Sequence, residues 1–182
     1  MTAAALLSEI VRALDEAEIP HMLVGSFAST SYGAPRSTQD IDIVIDPTPE
    51  ALMRFVTAFD NERTYVAADA EAALAARDQF NVIDTTTGWK VDLIIRKDRP
   101  FSISEFQRRV PANVAHVDLH VATKEDTVLA KLEWAAMGGS DRQVVDASTV
   151  LAVNAGRLDE EYLDRWAAEL GVTELLAKAR QG

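Results

Sequence analysis

The sequence predicts an α/β body followed by a C-terminal helical bundle. Short runs rich in β-branched residues have the composition of strands, and they are interleaved with apolar stripes at helical spacing. From Thr123 onward every predicted element is a helix. These two observations together predict a sheet with helices packed against it, extended by helices alone.

The first predicted elements place a glycine between a strand and a helix. One apolar stripe predicts an amphipathic helix over residues 3–18. The apolar run at residues 21–24 predicts a buried strand, which Gly25 and Ser26 stop. A short helix is expected over residues 27–32. The stripe of the first helix consists of Leu6, Leu7, Ile10, Val11 and Leu14.

The next predicted strand carries two acids. Residues 40–45 alternate at their start and are β-branched, so Asp40 and Asp42 are expected to point the same way. A helix beginning near Thr48 and an Ala-rich helix over residues 69–77 are expected after it.

A hairpin completes the predicted body. Residues 80–85 and 89–95 are strand-like, and Thr86, Thr87 and Gly88 between them have the composition of a turn. A helix near 102–108 and a short strand at 117–121 are expected to follow.

The C-terminal region is predicted to begin at residue 123. Two capping patterns precede apolar stripes there, and a glycine pair separates them. We therefore assign residues 1–122 to the core and residues 123–182 to a helical region that packs on it. The capping patterns are Thr123-x-x-Asp126 and Ser140-x-x-Gln143, the break is Gly138-Gly139, and a further helix opens at Leu158-Asp159.

Composition narrows the possible classes of function. The chain has 182 residues, a formal net charge of −11 and no cysteine, so it has no disulfide and no thiolate zinc site. The acidic balance argues against extensive binding of duplex DNA. No apolar run approaches the roughly 20 residues that span a bilayer, and the start of the chain lacks the pattern of a secretion signal. A soluble, cytoplasmic protein without a membrane partner is expected.

Three acids and one turn are the candidate site. Asp40 and Asp42 project from one strand face with about 7 Å between their backbones, and a divalent cation would relieve their repulsion. A solvent-facing strand edge is the alternative. Gly25 and Ser26 precede a helix and suit a phosphate, although an ordinary turn has the same composition. Asp92 lies in an apolar strand, so a shared metal or a salt bridge must compensate its charge.

Together these residues resemble the DNA polymerase β-like nucleotidyltransferases. Residues 35–42 and 123–146 are similar to the small prokaryotic branch that includes abortive-infection and type IV toxin nucleotidyltransferases. The resemblance implies a mixed sheet flanked by helices. It also implies that Asp40, Asp42 and Asp92 hold two Mg²⁺ ions, with Mn²⁺ as a substitute, and that Gly25 and Ser26 hold the β- and γ-phosphates of a nucleoside triphosphate such as ATP.

Four further polar residues are weaker candidates. Lys131 lies on a core-facing helix and could reach a triphosphate, or it could be a surface lysine. Arg36 could bind phosphate or brace the acids, or it could be an exposed loop residue. Arg142 and Asp146 are spaced as an i,i+4 ion pair, and Asp146 is also kept as a site candidate.

The histidines and tryptophans favour structural roles. His116 and His120 have strand-like spacing and are expected to be ordinary edge residues, and His21 is expected to be structural. Trp134 and Trp166 recur in amphipathic helices, so they are expected to anchor the core rather than to stack on a base.

The favoured hypothesis is a Mg²⁺-dependent transferase that moves a nucleoside monophosphate from a nucleoside triphosphate to an acceptor hydroxyl. The acceptor is RNA such as tRNA, a protein or a small molecule, and the resemblance implies a toxin-antitoxin setting with a cognate toxin or antitoxin as partner. The alternative is a non-catalytic binding or antitoxin module with the same fold. A metal-dependent phosphohydrolase would use similar acids but gives no reason for the Gly25-Ser26 turn.

Overall fold

The structure is a computed structural model that describes residues 2–33, 40–59 and 69–181, together with the backbone of residues 64–66. The helices are α1 Ala3–Glu16, α2 Gly25–Ser31, α3 Pro49–Phe59, α4 Ala70–Ala76, α5 Pro100–Arg108, α6 Lys124–Gly138, α7 Asp141–Val153, α8 Glu160–Glu169 and α9 Thr173–Gln181. The strands are β1 His21–Val24, β2 Asp40–Ile45, β3 Thr64–Val66, β4 Gln79–Asp84, β5 Lys90–Ile95, β6 Val110–Val114 and β7 Val117–Val121.

Most predicted elements are confirmed. The strands predicted at 21–24, 40–45 and 117–121 have these bounds, and the predicted hairpin is the antiparallel pair of β4 and β5. The first capping pattern forms as expected, because Thr123 Oγ1 accepts a hydrogen bond from the Asp126 backbone amide at 3.2 Å. Ser140 is the N-cap residue of α7, but among the described residues its side chain makes no capping hydrogen bond.

Two strands escaped prediction. β3 has three residues, which is too short to show a period. β6 contains Pro111 and is mostly exposed, which suits its place at the end of the described sheet, because proline cannot donate to a strand ladder. Between β6 and β7, Ala115 and His116 both have positive φ, so the two-residue turn lacks the glycine or asparagine that would have revealed it.

The strands form one mixed sheet, as the family resemblance implied. The described order is β3-β4-β5-β2-β1-β7-β6. β2 runs parallel to β5, and β1 runs parallel to β7, while the other described neighbours are antiparallel.

The two faces of the sheet have different roles. Every second residue of β2 and β5 is buried in the main core with α1 and α3. The intervening residues lie on the opposite face, because side chains alternate along a strand. The core residues of β2 and β5 are Ile41, Ile43, Ile45, Val91, Leu93 and Ile95. The opposite face carries Asp40, Asp42, Val44, Asp92 and Ile94.

A buried polar network holds α5, α6 and α8 together beside this second face. Asp126 is fully buried and accepts hydrogen bonds from Tyr162 Oη and Thr123 Oγ1, each at 2.6 Å. The Arg108 guanidinium lies 3.8 Å from the centre of the Tyr162 ring and 3.5 Å from Asp126 Oδ2. Because buried hydrogen bonds specify geometry, those of Asp126 orient α6 relative to α8.

The helices are short relative to a membrane. No helix within the described ranges is both long and apolar enough to cross a bilayer.

Candidate functional site

Two of the predicted acids face one another across neighbouring strands. The register of β2 and β5 places Asp42 opposite Asp92, and Asp40 opposite Lys90. Paired strands lie about 4.8 Å apart, so in-register side chains of one face are close neighbours. Asn81 on β4 is opposite Asp92, and its side-chain amide donates a hydrogen bond to Asp92 Oδ1. Local sequence patterns did not reveal Asn81, because only the register brings it to the site.

The acids create a site that favours positive charge. Burial raises the pKa of Asp42 to about 6, and repulsion from Asp92 and Asp40 acts in the same direction, whereas Lys90 and Lys131 lower it. Lys90 Nζ lies 3.0 Å from Asp92 Oδ2 and 3.8 Å from Asp40 Oδ1. The hydrogen bond to Asp92 raises the pKa of Lys90. An ammonium group therefore already balances part of this charge.

The carboxylate chemistry fits the metal that the resemblance implies. Carboxylate oxygens are the ligands that Mg²⁺ prefers, and Asp42 and Asp92 are adjacent. Asp40 is more exposed, with 55% of its side chain accessible. In the part of the chain that the structure describes, no three Asp, Glu or His side chains are arranged as a ready-made metal site. The three carboxylates are thus suitable metal ligands, and the Lys90 ammonium group lies near two of them, Asp40 and Asp92.

Gly25 is required by a close approach rather than only by a turn. Its φ is +66°, and a Cβ atom added there would lie 2.1 Å from Asp42 Oδ2. The Asp42 carboxylate therefore passes directly against the backbone at the start of α2. Ser26, the next residue, is almost fully buried and lines the same cavity as Asp42.

Lys131 is not a surface lysine. Its side chain is 5% exposed, and Nζ lies 3.1 Å from Asp146 Oδ2 and 3.4 Å from Gln143 Oε1. It lines the cavity that contains Asp42 and Asp92. Asp146 therefore supports Lys131, a contact that the predicted pairing with Arg142 had not suggested. Arg142 is exposed on α7.

The remaining predicted residues lie elsewhere. Arg36 is outside the described residues. His21 is buried, and its Nδ1 lies 3.0 Å from the Ile19 carbonyl oxygen, as a structural residue would. His120 is exposed on β7, whereas His116 is in the β6–β7 turn and not on a strand.

One cavity of about 390 Å³ joins these residues to the outer part of α6. Its lining includes Gly25, Ser26 and Lys131, and also Trp134 and Met137. The prediction that Trp134 anchors the core is wrong, because it is 59% exposed. The buried stripe of α6 runs through Val128, Leu132 and Ala135, and Trp134 is off that stripe. Trp166 is 7% exposed and packs on Phe101, as predicted.

The wall between α5 and α6 holds two acids in different states. Arg99 donates two hydrogen bonds to Glu133, and the bond from Nη2 to Oε2 is 2.6 Å long. Burial raises the pKa of Glu105 to about 8, helped by repulsion from Asp126, although Arg99 acts in the opposite direction. Glu105 is therefore protonated at neutral pH, while Glu133 is an ion-paired carboxylate.

Glu105 should make the protein less stable as pH rises. The folded protein keeps the Glu105 proton up to about pH 8, whereas the unfolded chain loses it near 4.5. The stability from this group is present below the unfolded value and is lost as pH rises through the folded value, at roughly 1 kcal/mol per pH unit. We expect Glu105→Gln to flatten this decline. Urea unfolding between about pH 5 and pH 8 measures it.

The exposed Glu169→Gln is the matched control for that change. It should leave the pH dependence of unfolding as it is in the wild type. If Glu105→Gln and the wild type lost equal stability over this interval, Glu105 would not carry the buried proton.

Solved structures of similar shape include an adenylyltransferase and a nucleotidyltransferase-like protein. ANT(2'')-Ia in complex with adenylyl-2''-tobramycin has a TM-score of 0.63 at 15% identity, over 94% of this chain and 98% of that chain. The lincosamide antibiotic adenylyltransferase LnuA, bound to lincomycin, has a TM-score of 0.57 at 10% identity, over 84% and 98%. An antigenic nucleotidyltransferase-like protein from Paracoccidioides brasiliensis has a TM-score of 0.54 at 16% identity, over 97% and 90%.

These identities are low, so the similarity is one of fold. The sequence matches no protein-family model and no curated protein. The three structures nevertheless match this chain over most of its length and most of theirs. The chain therefore has the nucleotidyltransferase fold that the resemblance of its acids and its Gly25-Ser26 turn indicated.

Proposed function

We propose that this protein is a Mg²⁺-dependent nucleotidyltransferase that transfers a nucleoside monophosphate from a nucleoside triphosphate, such as ATP, to an acceptor hydroxyl. One observation carries the proposal: Asp42 and Asp92 face one another in a cavity that also contains Gly25 and the buried Lys131. Acids that bind a cation and a lysine that binds phosphate are the groups that phosphoryl transfer needs.

The described residues have distinct proposed roles. Asp40, Asp42 and Asp92 would hold the metal, and Lys90 would move aside or share their charge. When bound, Mg²⁺ or Mn²⁺ would neutralise phosphate charge and activate the acceptor hydroxyl. Asn81 keeps Asp92 oriented through its hydrogen bond.

A second group of residues is proposed to bind the triphosphate. Ser26 and the backbone at Gly25 would bind the β- and γ-phosphates. Lys131, positioned by Asp146 and Gln143, supplies a positive charge on the opposite wall. Arg36, from the segment before β2, is proposed to reach the same phosphates.

The acceptor and the setting are further parts of this proposal. The acceptor hydroxyl belongs to an RNA such as tRNA, to a protein or to a small molecule, and the reaction takes place in the cytoplasm. The resemblance to type IV toxins supports a role in a toxin-antitoxin pair. LnuA is a lincosamide antibiotic adenylyltransferase whose structure contains lincomycin, and the structure of ANT(2'')-Ia contains adenylyl-2''-tobramycin. Both support a small-molecule acceptor.

Transfer from labelled nucleotides tests the proposal. The wild-type protein is incubated with Mg²⁺, each of the common α-labelled nucleoside triphosphates, and RNA, protein and small-molecule fractions of a cell extract. We expect release of pyrophosphate and a labelled product, both abolished by EDTA. If no triphosphate yields pyrophosphate or a labelled product with any fraction, the transferase proposal is wrong and a non-catalytic module remains.

Lys90→Met should strengthen metal binding. The Lys90 ammonium group lies beside Asp92 and would repel a cation bound there. Two unit charges about 4 Å apart interact by about 1 kcal/mol in bulk water and by about 4 kcal/mol near a protein surface. We therefore expect the Kd for Mn²⁺ to fall by at least roughly threefold. Calorimetric titration with Mn²⁺ measures this. Lys178→Met, at an exposed position of α9, is the control. Weaker Mn²⁺ binding by Lys90→Met would show instead that Lys90 supports the metal.

A further inference from the structure

The cavity has two ends on opposite sides of the facing acids. β1 is antiparallel to β2 with Val24 opposite Asp42, so Gly25 and Ser26 lie toward the Asp40 end of β2. In the other direction along the strands, Val44 and Ile94 follow Asp42 and Asp92 on the same face. They are about 7 Å further on. Both line the cavity, so its floor changes there from carboxylate to aliphatic.

In a displacement at phosphorus, the attacking hydroxyl and the leaving pyrophosphate occupy opposite ends of such a cavity. The attacking oxygen and the leaving pyrophosphate lie roughly in line on opposite sides of the transferred phosphorus. If the proposed function is correct, the pyrophosphate leaves at the Gly25-Ser26 end. The attacking hydroxyl must then approach from the end that Val44 and Ile94 form.

The acceptor end combines apolar and aromatic surface with basic side chains, because Arg96, Lys97 and Arg99 follow β5 and also line the cavity. Trp134 and Met137, on α6, line the cavity and are 59% and 67% exposed. Lys131 is one helical turn before Trp134, which is about 5 Å along the helix. The indole is thus continuous with the phosphate-binding wall, and Val44 and Ile94 form the floor. A flat ring bound there would contact aromatic and aliphatic surface, and such stacking contributes on the order of 1 kcal/mol.

Among the described residues that line the acceptor end, neither Glu133 nor Glu105 is a free carboxylate for a cation. Arg99 engages Glu133 through two hydrogen bonds. Glu105 is buried and, since its pKa is about 8, it carries a proton at neutral pH. An ammonium group that entered this end would lose water without gaining an ionic partner, which is costly.

We propose that this cavity end is the acceptor subsite and that it takes a small, uncharged, hydroxyl-bearing molecule whose flat ring lies against Trp134. The reaction balances as a displacement: the acceptor oxygen forms a bond to the α-phosphorus, the bond to the β-phosphate oxygen breaks, pyrophosphate leaves, and the hydroxyl proton passes to solvent. The inference rests on the proposed function and adds to it the class of acceptor.

Two matched compounds test the inference. Tyrosol and tyramine share a phenol ring and a two-carbon chain, and they differ in a terminal hydroxyl or ammonium group. Each is titrated into the full-length protein, and the emission of Trp134 is isolated by comparison with Trp134→Phe. Trp89→Phe is the control, because Trp89 is half-buried, packs on Phe27 and is not among the cavity residues.

We expect tyrosol to change the Trp134 emission saturably in the wild type and in Trp89→Phe, and to leave Trp134→Phe unchanged. The concentration of tyramine that gives half of the emission change should be at least roughly fivefold higher than that of tyrosol, because the acceptor end gives its ammonium group no ionic partner. Tyramine binding as tightly as tyrosol, or a Trp134 emission that tyrosol leaves unchanged, would overturn the inference.

Two nucleotide measurements separate this inference from the function on which it rests. If calorimetry shows that Mg-ATP binds while tyrosol has no effect on Trp134, only the acceptor inference is wrong. If none of the common nucleoside triphosphates binds in the presence of Mg²⁺, the proposed function is wrong and the inference is overturned with it. If Mg-ATP changes the Trp134 emission and Mg-tripolyphosphate does not, the indole contacts the nucleobase, and the acceptor assignment is again wrong.

Discussion

Replacing Asp42 by asparagine should reduce pyrophosphate release by roughly a thousandfold or more, because it removes a central carboxylate from the proposed metal site. The same change should not destabilise the protein. The pKa of Asp42 is raised to about 6, so its ionised form is disfavoured in the folded state and an uncharged amide removes that cost. Labelled-triphosphate assays and urea unfolding at neutral pH measure the two effects.

Asp118→Asn is the matched control for this change. Asp118 is an exposed aspartate on β7, which β1 separates from β2, and it does not line the cavity that contains Asp42. It should keep both activity and stability. Full transfer by Asp42→Asn would show that the metal assignment is wrong, and loss of its folded structure would show that Asp42 is structural.

Replacing Gly25 by alanine should have the second largest effect. The added methyl group would lie 2.1 Å from Asp42 Oδ2 and 2.8 Å from Asp42 Cγ, so the carboxylate must move. We expect pyrophosphate release to fall by roughly a hundredfold, because displacement of about 1 Å at a reacting centre has effects of this size. The positive φ at residue 25 should add about 1 kcal/mol of destabilisation.

Gly88→Ala separates these two causes. Gly88 has a φ of +74°, and no atom lies within 4 Å of the position of its missing Cβ. The Gly88→Ala protein should therefore be destabilised only by the positive φ at this residue, and it should keep its activity. If Gly25→Ala and Gly88→Ala lost equal stability and both stayed active, the close approach of Asp42 to residue 25 would have no role in the site.

The local pattern of the chain was sufficient for much of the fold. The strands at 21–24, 40–45 and 117–121 were predicted with their observed bounds, because each is a short β-branched or apolar run between turn residues. β6 was not, because Pro111 and exposed side chains remove the alternating pattern, and an edge strand tolerates both.

The helical faces show where local pattern fails. Trp134 and Trp166 both occur in amphipathic helices, yet one is exposed at the cavity and the other is buried against Phe101. Helical periodicity orders the side chains around an axis. Which of these side chains are buried and which are exposed depends on the elements that pack against the helix.

The alternation of side chains along a strand is a local property, so the amino-acid sequence was enough to place Asp40 and Asp42 on one strand face and Asp92 in an apolar strand. Which residues meet follows from the folded chain: Asp92 lies beside Asp42 through the β2–β5 register, Asn81 and Lys90 contact Asp92, and Lys131 contacts Asp146. These pairings join residues of different elements, and their geometry comes from strand register and helix packing, which no short segment of the chain contains.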